Sequence, residues 1–208
     1  MARPASKRAG RHVPFPLGVP AAWRSNLLRM NKPLPKPEVV ADAKHIQLVK
    51  QGKWEYARRK GVSGIVAIVA VTDEGKLVLV EQDRPPVGKR VIELPAGLAG
   101  DEKGHEKEDL ADAARRELLE ETGYSAREMK RVAEGAASAG MTDEVITLFV
   151  ATGLKKTGDA KGDGSEDITV HEVVVGEVVA WLDARTREGK LVDLKVYAGL
   201  YFADNRGQ

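Results

Sequence analysis

The chain has 208 residues and no cysteine, and its 33 basic and 31 acidic residues leave a formal net charge of +2. That length suits one domain, or one domain with an extension, and is enough to bury a sizeable core. Without cysteine there is no disulfide framework, no cysteine nucleophile and no thiolate metal site.

The longest strongly apolar run, Gly64–Val71, is of strand length, well short of the roughly 18–20 residues of a membrane span. No basic-then-apolar leader opens the chain. Both features predict a cytoplasmic protein with no membrane partner. Charge is unevenly spread. Residues 1–37 carry eight Lys/Arg, no Asp/Glu and seven of the ten prolines, so the rest holds 25 basic and 31 acidic side chains. This divides the chain into a basic, Pro-rich arm over 1–44, a hairpin over 45–60 and a globular body over 61–208. Within the arm, 1–12 reads as disordered.

Strand-like alternation begins at His45, and His45–Lys50 and Trp54–Arg59 read as a hairpin around Gln51-Gly52. Gly64–Thr72 reads as a buried strand and Lys76–Gln82 as the next. Val91–Leu94 reads as a short strand after the Arg84-Pro85-Pro86 loop. From about Lys107 to Thr122 the pattern turns helical, with Leu110, Ala114 and Leu118 on one face and Gly123 as the stop. Strands are predicted over Lys130–Ala136, Val145–Leu154 and Ile168–Val175, and helices over Gly176–Glu188 and Val192–Ala203. A mixed sheet with helices packed on it, α+β in pattern, follows.

Chemistry concentrates in Arg116-Glu117-Leu118-Leu119-Glu120-Glu121-Thr122-Gly123-Tyr124. On a helix, Glu117 with Glu121 are i, i+4 and Glu117 with Glu120 are i, i+3, so all three carboxylates leave from one side. Like charges at that spacing cost a few tenths of a kcal/mol each, and a bridging cation removes the cost. Oxygen ligands with no His or Cys among them suit Mg²⁺ or Mn²⁺. The bland alternative is a solvated acidic face salted by Arg115 and Arg116.

The stretch resembles the Nudix box, G-x5-E-x7-R-E-U-x-E-E-x-G-U, with U a bulky apolar residue. From Glu108 onward the match is complete, Leu118 and Tyr124 filling the U positions. Gly97 lies eleven residues before Glu108 where the family has six, so about five extra residues lengthen the loop ahead of the helix. Flanking segments resemble the ADP-ribose pyrophosphatase branch: Leu79–Gly88, Val91–Gly97, Ser138–Glu144 and Ser165–Val170.

The resemblance implies an α/β/α sandwich with a mixed central sheet, preceded by antiparallel strands. It implies hydrolysis of the pyrophosphate of ADP-ribose or a related nucleoside diphosphate sugar. Two or three Mg²⁺ (or Mn²⁺) ions would sit on Glu117, Glu120, Glu121 and the Ala96 carbonyl, supported by Glu108, Arg116 and Gly97. Glu166 matches the position of the base, with Asp163, Asp167 and Glu172 as rivals. Arg84, Glu93, Glu144 and Trp54 are candidate substrate contacts, Trp54 serving equally well at a dimer interface. Relatives imply a homodimer joined through residues 13–60. Other pyrophosphates remain open as substrates: GDP-mannose, dinucleoside polyphosphates or an RNA 5′ end, the last on the strength of the basic arm. A non-catalytic ADP-ribose-binding regulator is the reading from another class.

Overall fold

The computed structural model describes residues 34–101, 104–160 and 167–204. Among them the chain forms two sheets and three α-helices, an α+β fold. The first sheet contains β1 (Glu38–Asp42), β2 (Ile46–Gln51) and β3 (Trp54–Arg59), all antiparallel, in that order. The hairpin expected at residues 45–60 is there. Its edge partner β1 falls inside what reads in sequence as the arm, because Glu38-Val-Val-Ala-Asp42 is too short and too Pro-flanked to show an alternating signal.

The second sheet is mixed and holds β4 (Gly64–Val71), β5 (Lys76–Arg84), β6 (Lys89–Glu93), β7 (Ala96–Ala99), β8 (Tyr124–Ala136), β9 (Val145–Lys156), β10 (Thr169–Val174) and β11 (Leu191–Val192). Its main path runs β11-β6-β5-β4-β9-β8, with β10 added to β5 and β7 to β4. Helix α1 is Leu110–Thr122, α2 is Val178–Arg187 and α3 is Leu194–Asp204.

The run at β4 is apolar without alternation because both its faces are covered. Val66, Ile68 and Ala70 face α1, meeting Ala113, Ala114 and Leu118. Ala67, Val69 and Val71 face the other way, towards Val178 and Leu182 of α2 and Val196 and Ala203 of α3. The result is a helix–sheet–helix sandwich.

The structure departs from the expected elements in a few places. Ala96–Ala99 is a strand, pairing with β4 from Ala67↔Ala96 to Gly64↔Ala99, where the Pro-Ala-Gly sequence suggests only a turn. The first helix begins at Leu110 rather than Lys107, since Asp109 takes the N-cap and accepts a hydrogen bond from the Ala111 N–H at 2.8 Å. Strand β8 starts at Tyr124, directly after the helix stop, rather than at Lys130.

The two sheets touch beside the 138–144 loop. The Ala57 N–H donates to Met141 O at 2.8 Å, and Arg58 and Arg59 pair with Asp143 (2.7 Å) and Glu144 (2.9 Å).

Candidate active site

Helix α1 carries the acidic side chains, and its ends are fixed by backbone chemistry. Gly123 closes the helix in the left-handed region at φ 72°, its N–H donating to Leu119 O at 2.8 Å. The buried face is Ala113, Ala114 and Leu118, continued by Glu121 and Thr122. The turn between β6 and β7 meets the helix at Glu121. There the Ala96 N–H donates to Glu121 Oε2 at 3.0 Å. A Cβ placed on Gly97 would stand 1.9 Å from the Glu117 carboxyl carbon, so any side chain here would displace that carboxylate.

Arg116 organises the acids. Its Nη1 donates to Glu117 (2.9 Å) and Glu120 (3.1 Å), and its Nη2 to Glu108 (3.0 Å) and the Leu98 carbonyl (2.9 Å). Glu108 also accepts from the Gly100 N–H at 3.2 Å. Burial favours its neutral form, yet Arg116 and that N–H hold Glu108 below the ordinary carboxylate range. The neck of the long loop is therefore tied at residues 98 and 100 to residue 108. The extra residues lie outside that neck, and the register of α1 is unaffected.

Glu117 behaves in the opposite sense. Burial pushes its carboxyl up to about 7; Arg116 pulls against this, while Glu120 and Asp101 add to it. A buried carboxylate so short of compensation fits a cation. The oxygen-only donors Glu117, Glu120, Glu121 and the Ala96 carbonyl suit a hard divalent ion. Among the described residues no three acidic or imidazole side chains converge on one point, and Glu117 and Glu120 are both paired with Arg116.

These acids line a cavity of about 520 Å³. Three cations, Arg84, Arg59 and Lys195, also line it. Arg84 donates from Nε (2.9 Å) and Nη2 (2.7 Å) to one oxygen of Glu93, which also accepts from Gln82 at 3.1 Å. Arg59 pairs with Glu144, and Lys195 with Asp193. The structure thus brings Arg84 and Glu144 to the cavity that holds Ala96, Gly97, Arg116, Glu117, Glu120 and Glu121. Glu93 sits behind Arg84 and Glu108 behind Arg116.

Trp54 is half exposed on β3 and does not line the cavity. Glu166 and Asp163 lie outside the described residues. Asp167 is held by Arg90 at 2.9 Å, and Glu172 accepts from the Tyr124 hydroxyl at 2.5 Å; neither lines the cavity. Sequence reading missed Arg59, Lys195 and Asp101 as lining residues. The first two come from elements remote from the motif, and nothing in their local sequence marks them.

The NUDIX domain family model matches residues 63–194. The chain is 39% identical over 140 residues to the methanol dehydrogenase activator of Bacillus methanolicus, covering 67% of this chain and 71% of that one. It is 37% identical over 123 residues to the ADP-ribose pyrophosphatase of Bacillus subtilis, covering 59% and 64%. It is 35% identical over 138 residues to that of Mycobacterium tuberculosis, covering 66% and 63%. The match spans just under two thirds of the length of both pyrophosphatases. The fold is shared with a crystal structure titled ADP compounds hydrolase, with a TM-score of 0.56 at 18% identity, covering 71% of this chain and 82% of that one. With the family model spanning more than half of its length and the motif seated on the cavity wall, the chain belongs to the NUDIX domain family.

Proposed function

We propose that the protein is a Mg²⁺-dependent hydrolase of ADP-ribose or a related nucleoside diphosphate sugar, giving AMP and ribose 5-phosphate from ADP-ribose. The observation that carries this reading is one cavity lined both by the carboxylates Glu117, Glu120 and Glu121 and by the cations Arg59, Arg84 and Lys195. A pyrophosphate diester needs both: oxygen ligands for cations, and donors for its own oxygens. The two ADP-ribose pyrophosphatases among the relatives support this substrate class.

Glu117, Glu120, Glu121 and the Ala96 carbonyl would hold the ions, which neutralise the pyrophosphate and lower the pKa of bound water. Arg116 keeps the carboxylates in place until then. Arg84, braced by Glu93, offers its guanidinium to a phosphate. Glu166 is our candidate for the base that takes the water's proton. In support, two of its three rivals, Asp167 and Glu172, are engaged elsewhere.

A panel of nucleotides assayed with Mg²⁺ tests the reading; no pyrophosphatase activity on any member removes it. Glu166→Gln should lose most turnover while retaining metal binding. Survival of activity there and its loss in Asp167→Asn would reassign the base. GDP-mannose belongs in the panel, because the Yersinia pestis GDP-mannose pyrophosphatase is 29% identical over 150 residues. Faster hydrolysis of it than of ADP-ribose would favour that second reading.

We also propose a homodimer. The half-exposed apolar side chains Val39, Val40, Ile46, Leu48 and Trp54 of the first sheet support it. Light scattering at micromolar concentration should give twice the mass of one chain.

A further inference from the structure

The guanidinium of Arg90, on β6, holds three residues at once. Its Nε donates to Glu81 Oε1 at 2.8 Å and its Nη1 to Asp167 Oδ2 at 2.9 Å. Its Nη2 donates to Glu81 O at 3.1 Å, Asp167 O at 3.3 Å and Thr169 Oγ1 at 3.1 Å. We propose that Arg90 is a positioning residue for hydrolysis: it fixes the chain at Asp167, the residue that follows the candidate base Glu166. The inference rests on the hydrolase reading above.

The anchor is firm. Glu81 is 3% exposed, and its carboxylate also accepts from Lys190 at 2.7 Å and meets His171 Nε2 at 2.9 Å. Lys190 already supplies a counter-charge to that buried acid, so charge balance alone does not call for the further bonds from Arg90 to Asp167 and Thr169. A planar fork with five N–H donors can hold two groups at a set distance, which an ammonium cannot. Asp167 has no comparable hold of its own. The pairing of β10 with β5 begins two residues later, at Thr169↔Glu81. Among the described residues, the carboxylate and carbonyl of Asp167 are bound by Arg90.

Position gives this hold a role. Strand β10 runs antiparallel to β5, so the chain enters it towards the end of β5 that carries Arg84, and Arg84 lines the cavity. Consecutive Cα atoms stand about 3.8 Å apart, so a fixed Asp167 sets one end of the tether on Glu166. A base works only within hydrogen-bond reach of the proton it takes, and a misplacement of about 1 Å can cost about a hundredfold in rate. Arg90 does not line the cavity; it acts through Asp167 and not on the substrate.

The test is a double-mutant cycle on hydrolysis of the best substrate in the nucleotide panel, with Arg90→Lys made in the parent and in Glu166→Gln. Lysine keeps a cation beside Glu81 and loses the fork, so the fold should be retained, as circular dichroism would show. In the parent, Arg90→Lys should lower kcat about tenfold or more, with KM and Mn²⁺ affinity within about twofold. In Glu166→Gln it should change the residual kcat by less than about twofold, because no base is left to place. Asp167→Ala removes the carboxylate and keeps the carbonyl, and its kcat should fall between those of the parent and Arg90→Lys.

Parental kcat in Arg90→Lys would overturn the proposal. So would an equal loss of kcat in both backgrounds, or a loss of Mn²⁺ affinity as large as the loss of kcat, either of which would make Arg90 a support of the fold alone. Parental kcat in Glu166→Gln would remove the base assignment and this role together. A parent that hydrolyses no member of the panel removes the hydrolase reading and this role with it, whereas an active parent with an additive cycle removes the role of Arg90 alone.

Discussion

The carboxyl carbon of Glu117 stands 1.9 Å from the point a β-carbon on Gly97 would occupy. The family spacing places a glycine near here for a reason the loop insertion obscures in sequence: strand β7 crosses the acidic helix with no room for a side chain. Gly97→Ala should therefore displace the Glu117 side chain, which can swing, rather than the backbone. We expect Mn²⁺ affinity, read by electron paramagnetic resonance, to fall roughly tenfold or more. The circular dichroism spectrum should not change.

Glu117 predicts a pH dependence with a definite sign. Its folded pKa of about 7 lies above the ordinary 4.5, so the folded state binds the proton more tightly than the unfolded one. Without a cation, stability falls as pH rises from 4.5 to 7, by about 3 kcal/mol in total. Glu117→Gln should then be more stable than the parent at pH 8 in chelator, measured by urea denaturation. Added Mg²⁺ should stabilise the parent and leave the variant nearly unchanged. In the same sense, Mg²⁺ affinity should weaken roughly tenfold per unit below pH 7, because a proton and the ion compete for one carboxylate.

On the other face of the sheet, buried Glu81 accepts hydrogen bonds from Arg90 (2.8 Å), Lys190 (2.7 Å) and His171 (2.9 Å). Burial acts to raise its pKa, but those three partners bring it down to about 2. Its contribution to stability is complete above the ordinary 4.5 and is lost as pH falls towards 2. Glu81→Gln leaves charged partners without their counter-ion and should cost roughly 3 kcal/mol at pH 7. Equilibrium denaturation at pH 7 and pH 3 checks this: the gap between parent and variant should narrow at the lower pH.

Gly123 combines two demands. Its φ of 72° is a left-handed conformation, and a Cβ there would fall 2.1 Å from Gly158 O. Gly123→Ala should cost more than the roughly 1 kcal/mol of the conformation alone, since backbone has to move. Thr157 N–H donates to Gly123 O at 2.9 Å, so the displaced segment is the one entering the loop that holds the candidate base. A fall in melting temperature accompanied by a fall in kcat is the expected pair of readouts.

Much of the architecture could be read from residues. The unbroken Ile65-Val-Ala-Ile-Val-Ala-Val71 run signalled a strand covered on both faces, and Leu110, Ala114 and Leu118 gave the face of α1 that covers one of them. Strand β7 could not be read, because Ala96-Gly-Leu-Ala99 is short, small-sided and preceded by proline; only its pairing with β4 makes it a strand. Strand β1 was lost in the basic arm for a similar reason. At the site, local spacing displayed the carboxylates of α1, whose relation is fixed by the helix repeat. Arg59 and Lys195 reach the cavity from β3 and α3, over 50 residues upstream and over 70 downstream of Glu117. Tertiary packing alone brings them there, and no window of sequence contains both ends of such a contact.

The neck between Leu98, Gly100 and Glu108, closed by the Arg116 guanidinium, bears on how such a chain can diversify. Added residues beyond a pinned neck cost only loop entropy, which grows with the logarithm of length at about 0.6 kcal/mol per doubling. They transmit no strain to the helix. The five extra residues here are therefore nearly neutral for stability, and the same place should accept a longer graft, such as a peptide tag or a reporter loop, with helix α1 still in register. Few positions so near a cavity lined by charged side chains tolerate changes of length. This one does because a single arginine fastens both sides of the opening.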